Sequence, residues 1–174
     1  MKRKFFLCLL SLPVLSGCGD GDSQTTPVAT TTVVTSPTRT FDPLVISATV
    51  RKTRFPAGEA IPITLNVTNT QNKTVSLVGN INFYTGYLIK QNGTKLVSGT
   101  LGGGGGSTSF VLRQYDGFSQ TVYWGQLGAN GLQVPAGQYT IQAFIRAAVT
   151  VDDAGITTDV ETDLASLPIE ITVE

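Results

Sequence analysis

The residues that could do chemistry are few, and one type is missing. No histidine occurs in the 174-residue chain, which removes Ser-His-Asp and Cys-His catalysis, His-ligated zinc and His-based pH switching together. Gly102-Gly103-Gly104-Gly105-Gly106 has the composition of a phosphate cradle. A P-loop, however, needs Gly-Lys-Ser/Thr opening a helix, and here Ser107-Thr108 opens a strand, so the run reads as a loop. Asp152, Asp153, Asp159, Glu161 and Asp163 could gather oxygen ligands for calcium, but EF-hand spacing is absent and a solvated hairpin face is the plainer reading. Trp124 beside Tyr123 could stack on a sugar, although a single Trp in a small β domain is more often core. Three sequons, at Asn66, Asn72 and Asn92, read as chance in a Thr-rich chain. No paired carboxylates stand at catalytic spacing, so the sequence is read as non-enzymatic, with no catalytic residue, metal site or cofactor.

The thiols tell more. Lys2-Arg3-Lys4 precedes an apolar run from Phe5 to Leu12 that is too short for a membrane span of about 20 residues. Leu15-Ser16-Gly17-Cys18 follows. A basic start, a short apolar middle and small residues before a cut describe an export signal. The last four residues resemble the lipobox of bacterial lipoproteins, which implies that residues 1–17 are removed and that the Cys18 thiol is acylated, with palmitate among the expected chains. Cys8 leaves with the signal, so the mature chain has one cysteine and no intramolecular disulfide. Several acyl chains satisfy the rule that one alone binds a membrane only marginally. Losing Lys2, Arg3 and Lys4 leaves nine basic against twelve acidic side chains, so a polybasic patch is not the tether and nucleic acid is not an expected partner. Gly19 after Cys18 lacks the aspartate that marks inner-membrane retention. The expected location is therefore the cell envelope: the outer membrane of a double-membraned organism, otherwise the outer face of the cell membrane.

These groups need elements to hold them. Residues 18–43, rich in Thr, Ser and Pro, show no apolar period and are expected as a lipidated tether. From Leu44 to Glu174 the chain reads as strands. Leu44–Val50 is β-branched, and Ile61, Ile63, Leu65 and Val67 alternate with polar partners. Asn92-Gly93 between Tyr87–Lys90 and Lys95–Val97 is a hairpin signal. Tyr139, Ile141, Ala143 and Ile145 alternate again. No helical period is convincing after Cys18. The expected fold class is all-β, an antiparallel immunoglobulin-like β-sandwich of about seven to nine strands, without the Cys-Trp-Cys staple.

Two segments carry a resemblance. Pro56-Ala57-Gly58-Glu59, followed by the Ile61–Val67 alternation and Asn69, resembles the opening of the intracellular proteinase inhibitor family, an immunoglobulin-like bacterial domain. Tyr123-Trp124-Gly125 and Pro135-Ala136-Gly137-Gln138-Tyr139 resemble that family's Trp strand and its Pro-x-Gly-x-Tyr return strand. The likeness covers about Leu44 to Ile145 and implies a sandwich with an inhibitory loop; the Gly102–Gly106 run and the chain after Ala148 have no counterpart in it. Tyr139 is placed to plug one end. Three function classes stay open: a membrane-anchored interaction module binding an envelope protein, a proteinase inhibitor, and an envelope-structural domain. The first is favoured, with contacts expected in loops around Gly86, Asn92 and the glycine run.

Overall fold

The computed structural model describes residues 32–79, 84–100, 108–153 and 156–174. They form thirteen strands: β1 (Val34–Thr35), β2 (Arg39–Phe41), β3 (Leu44–Val50), β4 (Arg54–Phe55), β5 (Ile61–Asn69), β6 (Thr74–Gly79), β7 (Tyr84–Gln91), β8 (Thr94–Thr100), β9 (Thr108–Leu112), β10 (Gly117–Trp124), β11 (Gly137–Asp153), β12 (Ile156–Ala165) and β13 (Ile169–Val173). The protein is an all-β immunoglobulin-like sandwich. The strand number exceeds the expected seven to nine: β1, β2 and β4 are strands of only two or three residues, and ten longer ones remain. Val34–Thr35 and Arg39–Phe41 lie in the stretch expected as tether, yet both pair with β3.

One sheet runs β1-β3-β5-β10, with β2 beside β1 on β3. The other is built around β11, 17 residues long, which is flanked by β13 and β12 on one side and by β7 and β6 on the other. β8 and β9 continue outward from β7 and β6. Every pairing is antiparallel except β13 with β4. Alternation explains why the sheets stack. Ile61, Ile63, Leu65 and Val67 on β5 face Tyr139, Ile141, Ala143 and Ile145 on β11 in one buried core, and Leu44 to Val50 contributes every second residue. A period of two puts one entire face of each strand inside.

The outward face of the first sheet carries a row of threonines. Thr35, Thr49, Thr64 and Thr121 are register partners across four strands. Hydroxyl pairs link Thr64 to Thr121 at 2.8 Å and Thr35 to Thr49 at 3.2 Å. Such cross-strand pairs support sheet register.

Two buried serines mend the ladders where strands break. Ser36 donates its N–H to the Ala48 carbonyl at 2.8 Å, and its hydroxyl accepts the Ala48 N–H at 2.9 Å. Ser166, in the break between β12 and β13, does the same to Ala143 at 2.8 and 3.1 Å. Each hydroxyl then donates to the carbonyl of the next residue. A side chain thus replaces a backbone acceptor at a point where Pro37 or Pro168 ends regular pairing.

Ser36→Ala and Ser166→Ala should each cost about 1–3 kcal/mol, because each leaves a buried alanine N–H unpaired. Urea unfolding midpoints test this, with exposed Ser98→Ala expected to change little.

Candidate functional site

The β-turn chemistry that joins the strands collects at two ends of the sandwich, and buried side-chain amides organise both. At the end where β5 begins and β10 finishes, Gln126 has no exposed surface and a left-handed backbone, with φ of 57°. Its Oε1 accepts from the Gly58 N–H at 2.9 Å and from Gln133 Nε2 at 3.0 Å. Its Nε2 donates to the carbonyls of Pro56 at 2.8 Å and Glu59 at 2.9 Å. All four bonding positions of the amide are used. The turn Pro56-Ala57-Gly58-Glu59 is thereby fastened to the loop that follows Trp124.

That loop closes on itself. Val134 donates to the Gln126 carbonyl at 2.9 Å, Gly128 to Leu132 at 2.9 Å and Gly131 to Gly128 at 3.0 Å, and Leu132 also donates to Asn130 Oδ1 at 3.0 Å. Beneath it, Trp124 donates its indole N–H to the Leu127 carbonyl at 3.0 Å. The Trp124 and Tyr139 rings meet edge to face at 5.8 Å. Tyr139 is buried and donates its hydroxyl to the Pro135 carbonyl at 2.6 Å. Burial pushes the Tyr139 hydroxyl above its ordinary value, which keeps it a donor. Thus Trp124 is core, not a sugar platform, and Tyr139 does plug this end. Tyr123, Leu127 and Leu132 are left outside at 66%, 44% and 66% exposure.

Glu59 ties the same end to the β3–β4 connection. It pairs with Lys52 at 2.7 Å and with Arg51. The Lys52 hydrogen bond first, then Arg51, outweigh partial burial and hold the Glu59 carboxyl below its usual range. Arg54 faces Glu174 at 3.3 Å.

At the opposite end Asn69 plays the part of Gln126. It is fully buried, and its Nδ2 donates to the carbonyls of Lys73 at 2.6 Å, Leu112 at 3.2 Å and Arg113 at 3.0 Å. Its backbone N–H donates to the Asp116 carbonyl at 2.8 Å. Asp116 in turn donates its N–H to the Arg113 carbonyl at 3.0 Å and accepts the Arg113 N–H on Oδ2 at 3.0 Å. The result is a braced Arg113-Gln114-Tyr115-Asp116 turn. Tyr115 sits at its tip with φ of 60° and 71% exposure. Val111 is 56% exposed, and the rings of Phe110 and Phe118 stack at 5.3 Å across the strands that enter and leave the turn.

The residues singled out from sequence divide accordingly. Cys18 and the Gly102–Gly106 run lie outside the described residues, as do the side chains of Asp152, Asp153, Asp159, Glu161 and Asp163. Asn92-Gly93 forms the two-residue hairpin turn, with positive φ at both positions and Gln91 opposite Thr94. It borders an open cavity of about 420 Å³ with Gln138, Thr140 and Glu170. Gly86 is not in a loop. It lies inside β7, buried, where an added Cβ would come within 2.5 Å of the Gly99 carbonyl and 2.6 Å of the Phe144 ring. Close approach explains that glycine, so it presents no contact surface. Gln126 carries no local signal, whereas the Arg113–Asp116 turn carries one, the Asp116-Gly117 dipeptide. Among the described residues no group of three or more His, Cys, Asp or Glu side chains could hold a metal ion.

No family model matches this chain, and no curated protein matches it. Among solved structures it is similar to a β-glucosidase from Erythrobacter marinus at 13% identity and TM-score 0.43, over 79% of this chain and 16% of that one. It is similar to the CARDB domain of a Pyrococcus furiosus protein in complex with di-metal ions, at 15% identity and TM-score 0.36, over 75% of this chain and 87% of that one. A β-glucosidase from Listeria innocua in complex with glucose is 12% identical at TM-score 0.33, over 81% of this chain and 15% of that one. The chain therefore spans less than a fifth of those β-glucosidases. Likenesses this distant decide nothing about ligand or activity.

Gln126→Ala should destabilise the protein by about 2 kcal/mol, because it leaves the Gly58 N–H and two carbonyls without their partner. Chemical denaturation measures that loss. The Glu59 pairs give a pH signature. A carboxyl held low in the folded state stabilises above its unfolded value, and that stability disappears as pH falls through the folded value. The melting-temperature advantage of the native protein over Glu59→Gln should therefore be present at pH 7 and vanish at acid pH, below the ordinary Glu value of 4.5.

Proposed function

We propose that this chain is a bacterial envelope lipoprotein, held by acylated Cys18, whose sandwich binds a protein partner through the Arg113–Asp116 end. The observation that carries the binding half is the braced turn with Tyr115 71% exposed at its tip, entered by a strand on which Val111 is exposed too. Tyrosine and arginine are the residue types that dominate interface energetics, and a turn already fixed by Asn69 and Asp116 loses little entropy when it docks. The anchoring half rests on the order Leu15-Ser16-Gly17-Cys18 after a short apolar run. No catalytic role is part of this reading, and the location it implies is the cell envelope.

Proteinase inhibition, to which the family resemblance points, is the second reading. Its support is the same rigid, exposed turn, which presents Arg113 and Tyr115. Against it stands the left-handed Tyr115 backbone, since protease clefts take extended chain rather than a tight turn.

The test replaces Tyr115 with a photo-crosslinking phenylalanine in cells. A discrete covalent adduct with one envelope protein, absent when the label sits at exposed Ser98, is the expected result. No adduct at Tyr115 overturns the binding reading. Near-stoichiometric inhibition of any serine protease by the purified protein, abolished by Arg113→Ala or Tyr115→Ala, favours the inhibitor. In the same cells Cys18→Ala should remain an unprocessed precursor without lipid label; a lipid-labelled Cys18→Ala protein overturns the anchor.

A further inference from the structure

The cavity beside the Asn92-Gly93 turn takes no part in either reading above. It is open, about 420 Å³, and is bordered by Asn92, Gly93, Gln138, Tyr139, Thr140 and Glu170. That volume lies within the range of small-molecule sites, about 300–1,000 Å³. Gln138 and Thr140 alternate with buried Tyr139 and Ile141, and Glu170 lies between buried Ile169 and Ile171, so the cavity opens on the outer side of the second sheet. The fold fixes its walls. Thr140 on β11 is the register partner of Lys90 on β7 and of Glu170 on β13. Asn92 and Gly93 hold the rim as a two-residue turn, with φ of 50° and 77°. At Gly137 an added Cβ would stand 3.3 Å from Gln91 Nε2, so the missing side chain lets Gln91 close over the start of β11.

What this lining offers is hydrogen bonding without net charge. The Asn92 and Gln138 amides and the Thr140 hydroxyl can each donate and accept, and the Glu170 carboxylate accepts on both oxygens. Among the described residues, none of these four side chains is engaged in a hydrogen bond or an ion pair. Glu170 and Lys90 stand two strand spacings apart across Thr140, about 10 Å. Their charges balance over the site without forming a pair, which favours neither an anion nor a cation. An apolar ligand would strand the amides and the carboxylate. The matching ligand is small and neutral, and it donates and accepts at several points. A sugar ring meets all three conditions, and its hydroxyls make charge-assisted bonds to a carboxylate.

We propose that this cavity binds a neutral saccharide, as a free sugar or as the end unit of a glycan chain, held by Asn92, Gln138, Thr140 and Glu170. The site adjoins the start of β11, next to the Gln126 loop and away from the Arg113–Asp116 turn, so a saccharide and a protein partner can be held together. It does not depend on acylation of Cys18. Because the cavity is open, binding is of millimolar strength.

Titrating the ¹⁵N-labelled full chain with glucose, galactose, mannose and N-acetylglucosamine, with protonated glucosamine as the cationic control, tests this in ¹H–¹⁵N spectra. At least one neutral sugar should move the side-chain amide signals of Asn92 and Gln138 saturably, while that of Gln114, exposed at the other end, stays in place. Glu170→Gln and Gln138→Ala should each weaken that binding several-fold at an unchanged melting temperature, since both positions are exposed. Movement with glucosamine alone means that the cavity takes a cation, and overturns the inference. So does no movement with any of the sugars, or undiminished binding in both variants. The tetrasaccharide of the sugar that binds then separates the sources: binding at least as strong as the monomer's marks a glycan end, and lost binding marks a free sugar.

Discussion

The second sheet depends on one strand. β11, from Gly137 to Asp153, pairs with four strands, β13 and β12 along one edge and β7 and β6 along the other. Its odd-numbered residues from Tyr139 to Val149 form the floor of the core. Because side chains alternate with a period of two, one register slip along β11 would turn that floor to solvent and break four pairings together. The strands around it are free to break and restart, as β12 and β13 do at Ser166, because β11 does not.

This arrangement explains why the ends can be specialised. With the core fixed by alternation, the connections at each end need only close their own polar groups. Gln126 and Asn69 do that from within: Gln126 holds three backbone groups of the Pro56–Glu59 turn, and Asn69 reaches both the β5–β6 and the β9–β10 connections. Their burial has a cost that only complete hydrogen bonding offsets. What they leave outside differs: a self-bonded loop with two leucines at one end, and a tight turn with an exposed tyrosine at the other. The ends lie about 23 Å apart along the eight-residue β10. The proposed function assigns the tyrosine end to a protein partner.

Much of the fold was legible in the sequence, because period-two alternation is a local signal. Ile61 to Val67, Tyr139 to Ile145 and the Asn92-Gly93 hairpin all fold as their spacing predicts. Trp124 and Tyr139 belong to the core for the same reason that large aromatics usually do. Gly86 misled, because a glycine in a Thr-Gly-Tyr context looks like a turn until the Phe144 ring and the Gly99 carbonyl are seen to fill the place of its side chain. Ser36 sits in a Thr/Ser/Pro stretch whose composition hides β1. Gln126 bonds to residues 67, 68 and 70 positions away in the chain. No local pattern encodes a contact at that separation, so the groups that shape the ends emerge only once both sheets are assembled.

The central claim is that both ends are rigid surfaces and not floppy loops. Backbone ¹⁵N relaxation of the free protein measures this directly at Arg113–Asp116 and Gln126–Gln133. The account predicts order parameters equal to those of β5 and β11, about 0.85. Values below about 0.6 in either segment would mean that Asn69 or Gln126 does not hold its turn, and would contradict it.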